Sequence, residues 1–142
     1  YTQWFHFASD LIVNKSDAGN YICSDQDGTE LLTLQSITVI DEEEFIRGQK
    51  TPHLQGWIGM SGTTLEPSHA IGYKQMGREC TMCTLVSLVP GSIIDSKLDF
   101  EESKISLSFN DQLGPVNIKF KKNSEISNLN FTIGDDYYSI EK

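Results

Sequence analysis

The sequence predicts an α+β fold, with an N-terminal helix packed on a mostly antiparallel β-sheet or sandwich. Three observations carry that expectation. First, three stretches near the C-terminus, 105–109, 116–120 and 129–133, alternate apolar and polar residues, the period of a half-buried strand. Second, turn-forming residues separate them: Asn110 to Pro115, Asn123-Ser124 and Gly134-Asp135-Asp136, which reads as consecutive antiparallel strands. Third, Trp4, Phe7, Ala8, Leu11 and Ile12 fall at i, i+3, i+4, i+7 and i+8, the stripe of an amphipathic helix.

In chain order, residues 1–16 form the expected helix, closed by the turn chemistry of Asn14 to Gly19. So short a helix is marginal alone. It reads either as the C-terminal half of a longer helix continuing upstream of Tyr1, or as a short complete helix docked on the sheet. Residues 20–142 form the expected β part of a single domain spanning 1–142. Asn20 to Ser24 is a strand ending in the turn Asp25-Gln26-Asp27-Gly28, and Leu31 to Ile40 is strand-like, rich in Thr, Ile and Val. Its apolar phase slips between Leu34 and Ile37, which implies a bulge or bend. Asp41 to Arg47 suits one helical turn with acids at its N-terminus. Gly56 to Met60 is a strand carrying Trp57, and Gly62 to Gly77 is a long polar, Gly-containing surface excursion. The apolar run Thr81 to Val89 reads as a central strand ended by Pro90-Gly91. Ile93 to Leu98 and Tyr137 to Ile140 complete the set.

A net charge of −9 over 142 residues repels nucleic acid phosphate and anionic membrane. The acidic runs Asp41 to Glu44, Glu101-Glu102 and Asp135-Asp136 read as solvated turns and helix starts. No apolar run reaches the roughly 20 residues that span a bilayer.

Three cysteines, Cys23, Cys80 and Cys83, allow at most one intramolecular disulfide. A structural bridge from Cys23 to Cys80 or Cys83 would imply an oxidising compartment. The C-x-x-C of Cys80 and Cys83 opens a β run rather than a helix, which disfavours thioredoxin-like chemistry. A zinc site recruiting Cys23 and His69 would lack a second C-x-x-C or a close His pair. His6, His53 and His69 stand far apart, and no nucleophile-elbow, phosphate-loop or zinc-protease motif occurs. Asp25 to Gly28 has half the pattern of a calcium loop, but Ser36 stands where the closing glutamate belongs. Trp4 and Trp57 read as core anchors. Asn14-Lys15-Ser16 and Asn130-Phe131-Thr132 match the glycosylation sequon. These patterns imply no enzyme, no cofactor and no metal.

Two resemblances add to this reading. Asp17-Ala18-Gly19-Asn20-Tyr21-Ile22-Cys23 is similar to the D-x-G-x-Y-x-C of immunoglobulin domains. Only Trp4 precedes it, where such a domain has an earlier cysteine and a core tryptophan. Over its whole length the chain resembles type IV pilin-like minor pseudopilins of the GspH/FimT type. That likeness is carried by the order of its motifs: Tyr21 to Gly28, Gln55-Gly56-Trp57-Ile58-Gly59, Leu85 to Gly91, Ile105 to Gly114 and Asn130 to Ile140. It implies a non-enzymatic assembly subunit of a type IV pilus or type II secretion pseudopilus, on the periplasmic or extracellular face. The partners would be other pilin or pseudopilin subunits. Contact with membrane would come only through an apolar half-helix upstream, which would hold the precursor in the inner membrane before assembly. Trp4, Phe7, Leu11, Ile12 and Trp57 would pack helix against sheet. Loops such as Gly62 to Gly77 would carry recognition. The alternative is a secreted or cell-surface β-sandwich binding module of immunoglobulin-like type. A thiol or zinc enzyme built on Cys80 and Cys83 is a third reading.

Overall fold

The first residues are strand, not helix. The computed structural model describes residues 1–59, 62, 64–88, 94–101, 104–111, 114–121 and 128–141. Among these, all regular structure is β, in fourteen strands. The expected α+β fold with a docked N-terminal helix is therefore corrected to an all-β one. Thr2–His6 is β1 and Ile12–Lys15 is β2, joined by a turn in which Leu11 N–H donates to the Ala8 carbonyl at 3.2 Å. The apolar set of this segment fits two periods at once. In the extended chain, Phe5 and Phe7 share one face while Trp4 and His6 share the other. Four consecutive aromatic rings, Trp4 to Phe7, lose χ1 freedom in a helix and suit a pleated surface. The N-terminal helix that the pseudopilin resemblance implied is not formed by these residues.

The chain divides into two units, Tyr1–Pro90 and Gly91–Lys142. In the first, Tyr21–Ser24 (β3), Glu30–Ser36 (β4) and Thr84–Ser87 (β9) join β2 in an antiparallel sheet of order β2-β3-β4-β9. Glu42–Arg47 (β5) and His69–Lys74 (β8) form a second sheet of order β1-β8-β5. Trp57–Gly59 (β6) and Leu65–Pro67 (β7) make a small hairpin pair. The inner faces of the two larger sheets supply one core: Val13, Tyr21, Cys23 and Leu34 from one, Ile71 and Tyr73 from the other, with Phe7 at the end of β1. Tyr21 stands 5.0 Å from Phe45 and 6.4 Å from Tyr73, ring to ring.

Three further expectations change. Asp41 to Arg47 is a strand, because the acids alternate faces: Glu43 and Phe45 point inward, Glu42 and Glu44 outward. The supposed surface excursion Gly62 to Gly77 contains β7 and β8, and β8 is the middle strand of its sheet. Its Ala70, Ile71, Gly72 and Tyr73 are all buried. Its one face carries only Ala70 and Gly72 at the centre, so the strand lacks the continuous bulk that marks a central strand in sequence. Conversely, the apolar run Thr81 to Val89 yields an edge strand, β9, with Val86 half exposed.

The second unit is an antiparallel meander of Ile94–Phe100 (β10), Lys104–Asp111 (β11), Gly114–Lys121 (β12), Asn128–Ile133 (β13) and Asp136–Glu141 (β14), paired in chain order. Register places Ile105 opposite Phe120, Leu107 opposite Ile118 and Phe109 opposite Val116. Leu107 and Val116 are buried. Such matched apolar pairs are the unit of sheet stabilisation. Register slips between Ile94 and Lys97, around Asp95 with its φ of 54°, a bulge at a residue type that tolerates the left-handed region. The turns expected at Pro90-Gly91 and Asn123-Ser124, with Met60, Ile93, Gln112 and Leu113, lie outside the described residues.

Candidate binding site

Trp4, Gly72 and Glu44 stand in one row across β1, β8 and β5, on the face of the sheet turned away from the core. Gly72 is what lets Trp4 lie there. A Cβ at Gly72 would come within 2.7–2.9 Å of three carbons of the six-membered indole ring. His6 follows on the same face, 6.2 Å from Trp4 between ring centroids.

A loop rises beside this row directly after β5. Gly48 starts it at a φ of 60°, and Gly48 N–H donates to the Gly56 carbonyl at 2.8 Å. Gln49 and Gln55 exchange backbone hydrogen bonds at 2.9 and 3.0 Å, closing residues 50–54 into a tip. Trp57 fixes this base by donating its indole N–H to the Gln49 carbonyl at 2.9 Å. Lys50 lies over the Trp57 ring at 5.5 Å. Between loop and sheet is a recess of about 550 Å³ lined by Trp4, Glu44, Gln49, Pro52, His53 and Gln55. That volume lies within the range of small-molecule sites, about 300–1,000 Å³.

The polar side chains of the recess make no hydrogen bonds among the described residues. Glu42 is paired with Lys74 and Glu43 with Lys15, both at 2.6 Å. Glu44 is exposed and makes no ion pair at such a distance among the described residues, although its charge acts on Lys74 across the sheet. Gln49 and Gln55 spend their backbone groups on the loop, while their side-chain amides bond nothing among the described residues. The His53 imidazole is likewise unengaged there.

On the inner face, Tyr21 donates its hydroxyl to Glu43 of the opposite sheet. Burial, then this bond, holds the Tyr21 phenol far above its ordinary range; burial does the same for Tyr73. His69 stacks on Phe45 at 5.2 Å. Burial, with Arg47 beside it, lowers its pKa. A second recess of about 400 Å³, lined chiefly by Phe5, Phe7, Leu11, Leu32, Leu34 and Val86, opens between the edge strands β1 and β9.

The residues singled out by sequence are scattered across these features. Trp4 lines the outer recess, and Trp57 supports its loop from behind. Phe7 is in the core, Leu11 packs partly against it, and Ile12 is exposed. None of the five packs a helix on a sheet. The cysteines are free thiols rather than a bridge. Cys23 is fully buried on β3, and its pKa is raised by burial and by Asp10. Cys83 is raised by burial, and Cys80 directs its thiol at the Gln75 carbonyl. No group of three His, Cys, Asp or Glu suited to a metal occurs among the described residues. Asp25 turns its carboxylate onto the N–H groups of Asp27 and Thr29, closing its own turn. The immunoglobulin-like stretch forms the β2–β3 hairpin within one sheet. An immunoglobulin tyrosine corner instead bonds backbone a few residues upstream, where Tyr21 reaches Glu43.

Glu44, Gln49, His53, Gln55 and Gly72 were missed from sequence. The only available signal was glycine at 48 and 56 bracketing two glutamines, which marks a closed loop without saying what it faces. No family model, curated protein or solved structure matches this chain.

Proposed function

We propose that this protein is a non-enzymatic β-sheet binding module whose ligand enters the recess between Trp4 and the loop 49–55. The observation that carries this reading is a tryptophan bedded on Gly72 in a recess whose lining also includes a carboxylate without a hydrogen bond, and two side-chain amides and an imidazole without partners, among the described residues. Convergent polar groups around an apolar surface are the general form of a recognition site. Nucleophile, base and oxyanion donors in mutual reach would be needed for catalysis, and the described lining of the recess contains no serine, threonine, cysteine or lysine to act as nucleophile. Assembly through pilin subunits rested on an order of motifs together with an N-terminal helix, and these residues form strands in place of that helix.

The test is an NMR titration of the intact protein with a mixed panel of neutral mono- and disaccharides, free amino acids, nucleosides, choline and a lysine-rich peptide. The two tryptophans give two indole N–H resonances, assigned with Trp4→Phe. Saturable movement of the Trp4 resonance by at least one class is expected. If no class moves it, the reading falls.

A further inference from the structure

Resting on that reading, we infer that the recess takes a neutral saccharide ring. The argument is one of donors and acceptors. A sugar hydroxyl both donates and accepts a hydrogen bond. The primary amide of Gln49 or Gln55 also does both through its oxygen and nitrogen, and a carboxylate such as Glu44 accepts from two hydroxyls. All three residues line the recess. His53 adds a ring nitrogen of either sense. The apolar C–H face of a pyranose needs a rigid aromatic surface, and Trp4 is held against β8 by its contact with Gly72.

Other ligand classes leave groups in the recess unused or opposed. A quaternary ammonium has use for Glu44 and the indole face, but has no hydrogen to give the amide oxygens, and a lysine ammonium would bond those oxygens and leave the amide N–H donors unused. A quaternary ammonium is also ordinarily held by several aromatic rings, and among the described residues Trp4 is the sole aromatic ring of Phe, Tyr or Trp type lining the recess. A phosphate or nucleotide needs cationic or backbone donors. No lysine or arginine lines the recess among the described residues, and Glu44 and the net charge of −9 repel it. Side-chain amides, a carboxylate and one indole suit an uncharged polyhydroxylated ring best. At about 550 Å³ the recess is larger than one such ring and has room for a disaccharide.

The experiment titrates the intact protein with cellobiose, maltose, lactose and N,N′-diacetylchitobiose, and separately with choline chloride, following both indole resonances. At least one disaccharide is expected to move the Trp4 signal and leave that of Trp57 nearly still. Its affinity should fall by about tenfold in Gln49→Ala and in Gln55→Ala, and change little in high salt. Both substitutions spare the backbone bonds of the loop, and an unchanged spectrum outside the recess confirms folding. Choline moving Trp4 where no disaccharide does would overturn the saccharide assignment and leave the binding module standing. Saccharide binding indifferent to both glutamine substitutions would place the ligand elsewhere and overturn it as well. Silence of Trp4 toward these ligands and toward the wider panel would remove both readings together.

Discussion

Tyr21 on β3 and Glu43 on β5 join the two sheets of the first unit by a phenol-to-carboxylate hydrogen bond at the edge of the core. Lys15 completes the group, 2.6 Å from Glu43 and 5.6 Å above the Tyr21 ring. Hydrogen bonds to charged acceptors contribute about 1.5–3 kcal/mol, against about 1 kcal/mol for neutral ones. Tyr21→Phe keeps the buried ring and removes only the donor, so it should cost about 1–2 kcal/mol, read as a lower urea midpoint at unchanged slope. Glu43→Gln should cost a similar amount. The double variant should cost less than the sum, because the charge that Glu43→Gln removes acts partly through the bond that Tyr21→Phe deletes. Strict additivity would mean that the bond does not tie the sheets.

Ile71 is fully buried at the centre of β8, between Phe5 on β1 and Phe45 on β5. Ile71→Ala should destabilise the first unit by about 2–5 kcal/mol, the usual range for deleting that much of a core side chain. Thermal denaturation followed by circular dichroism reads the change. A loss under 0.5 kcal/mol, the scale of surface substitutions, would mean that the strand does not lie in the core.

That strand also shows where sequence reading stopped. The strands of the second unit were plain in the sequence because each presents bulk on one face and polarity on the other, and their partners lie next in the chain. β8 pairs with β1 and β5, both distant in sequence, and its outer face is Ala70 and Gly72. Its side of the sheet is completed by Trp4 from another strand, a long-range contact that no local pattern encodes. The N-terminus failed for the converse reason. Phe7, Leu11 and Ile12 satisfy a helical spacing, but the choice between helix and strand was made by β8, which supplies the ladder for β1. Of the candidate site, Trp4 was visible as an aromatic residue but read as a core anchor; the loop that faces it was visible only as glycines.

His69 sets an acid limit on stability. Its Nδ1 is buried without a hydrogen-bond partner, its ring stacks on Phe45, and Arg47 stands opposite in register. Burial first and Arg47 second lower its pKa below 6.5. The unfolded chain therefore takes up the proton before the folded one does. Stability is unaffected above the unfolded value near 6.5 and decreases as pH falls from there through the lowered folded pKa. Denaturation midpoints at a series of pH values between 7.5 and about 4.5 should show this loss. His69→Gln should flatten the part of the curve just below 6.5, leaving the carboxylate-driven decline at lower pH. A curve of identical shape in the variant would show that His69 takes its proton freely in the folded state.

Gly72 tests the outer recess from beneath. An added methyl would lie 2.7–2.9 Å from the Trp4 ring, closer than carbon atoms approach, so the ring must move. The indole is the far end of a side chain on an edge strand, and the backbone of β8 is under no positive-φ demand at Gly72. Gly72→Ala should therefore leave the two sheets intact and cost about 1–2 kcal/mol, within the range for overpacking. Its main effect should be to displace Trp4, seen as a shift of that indole N–H resonance with the Trp57 resonance held in place by the Gln49 carbonyl. Any ligand of the recess should then bind more weakly, although none of its polar partners has been altered. If Gly72→Ala shifts neither the Trp4 resonance nor ligand affinity, the indole does not rest on β8 and the recess loses its floor.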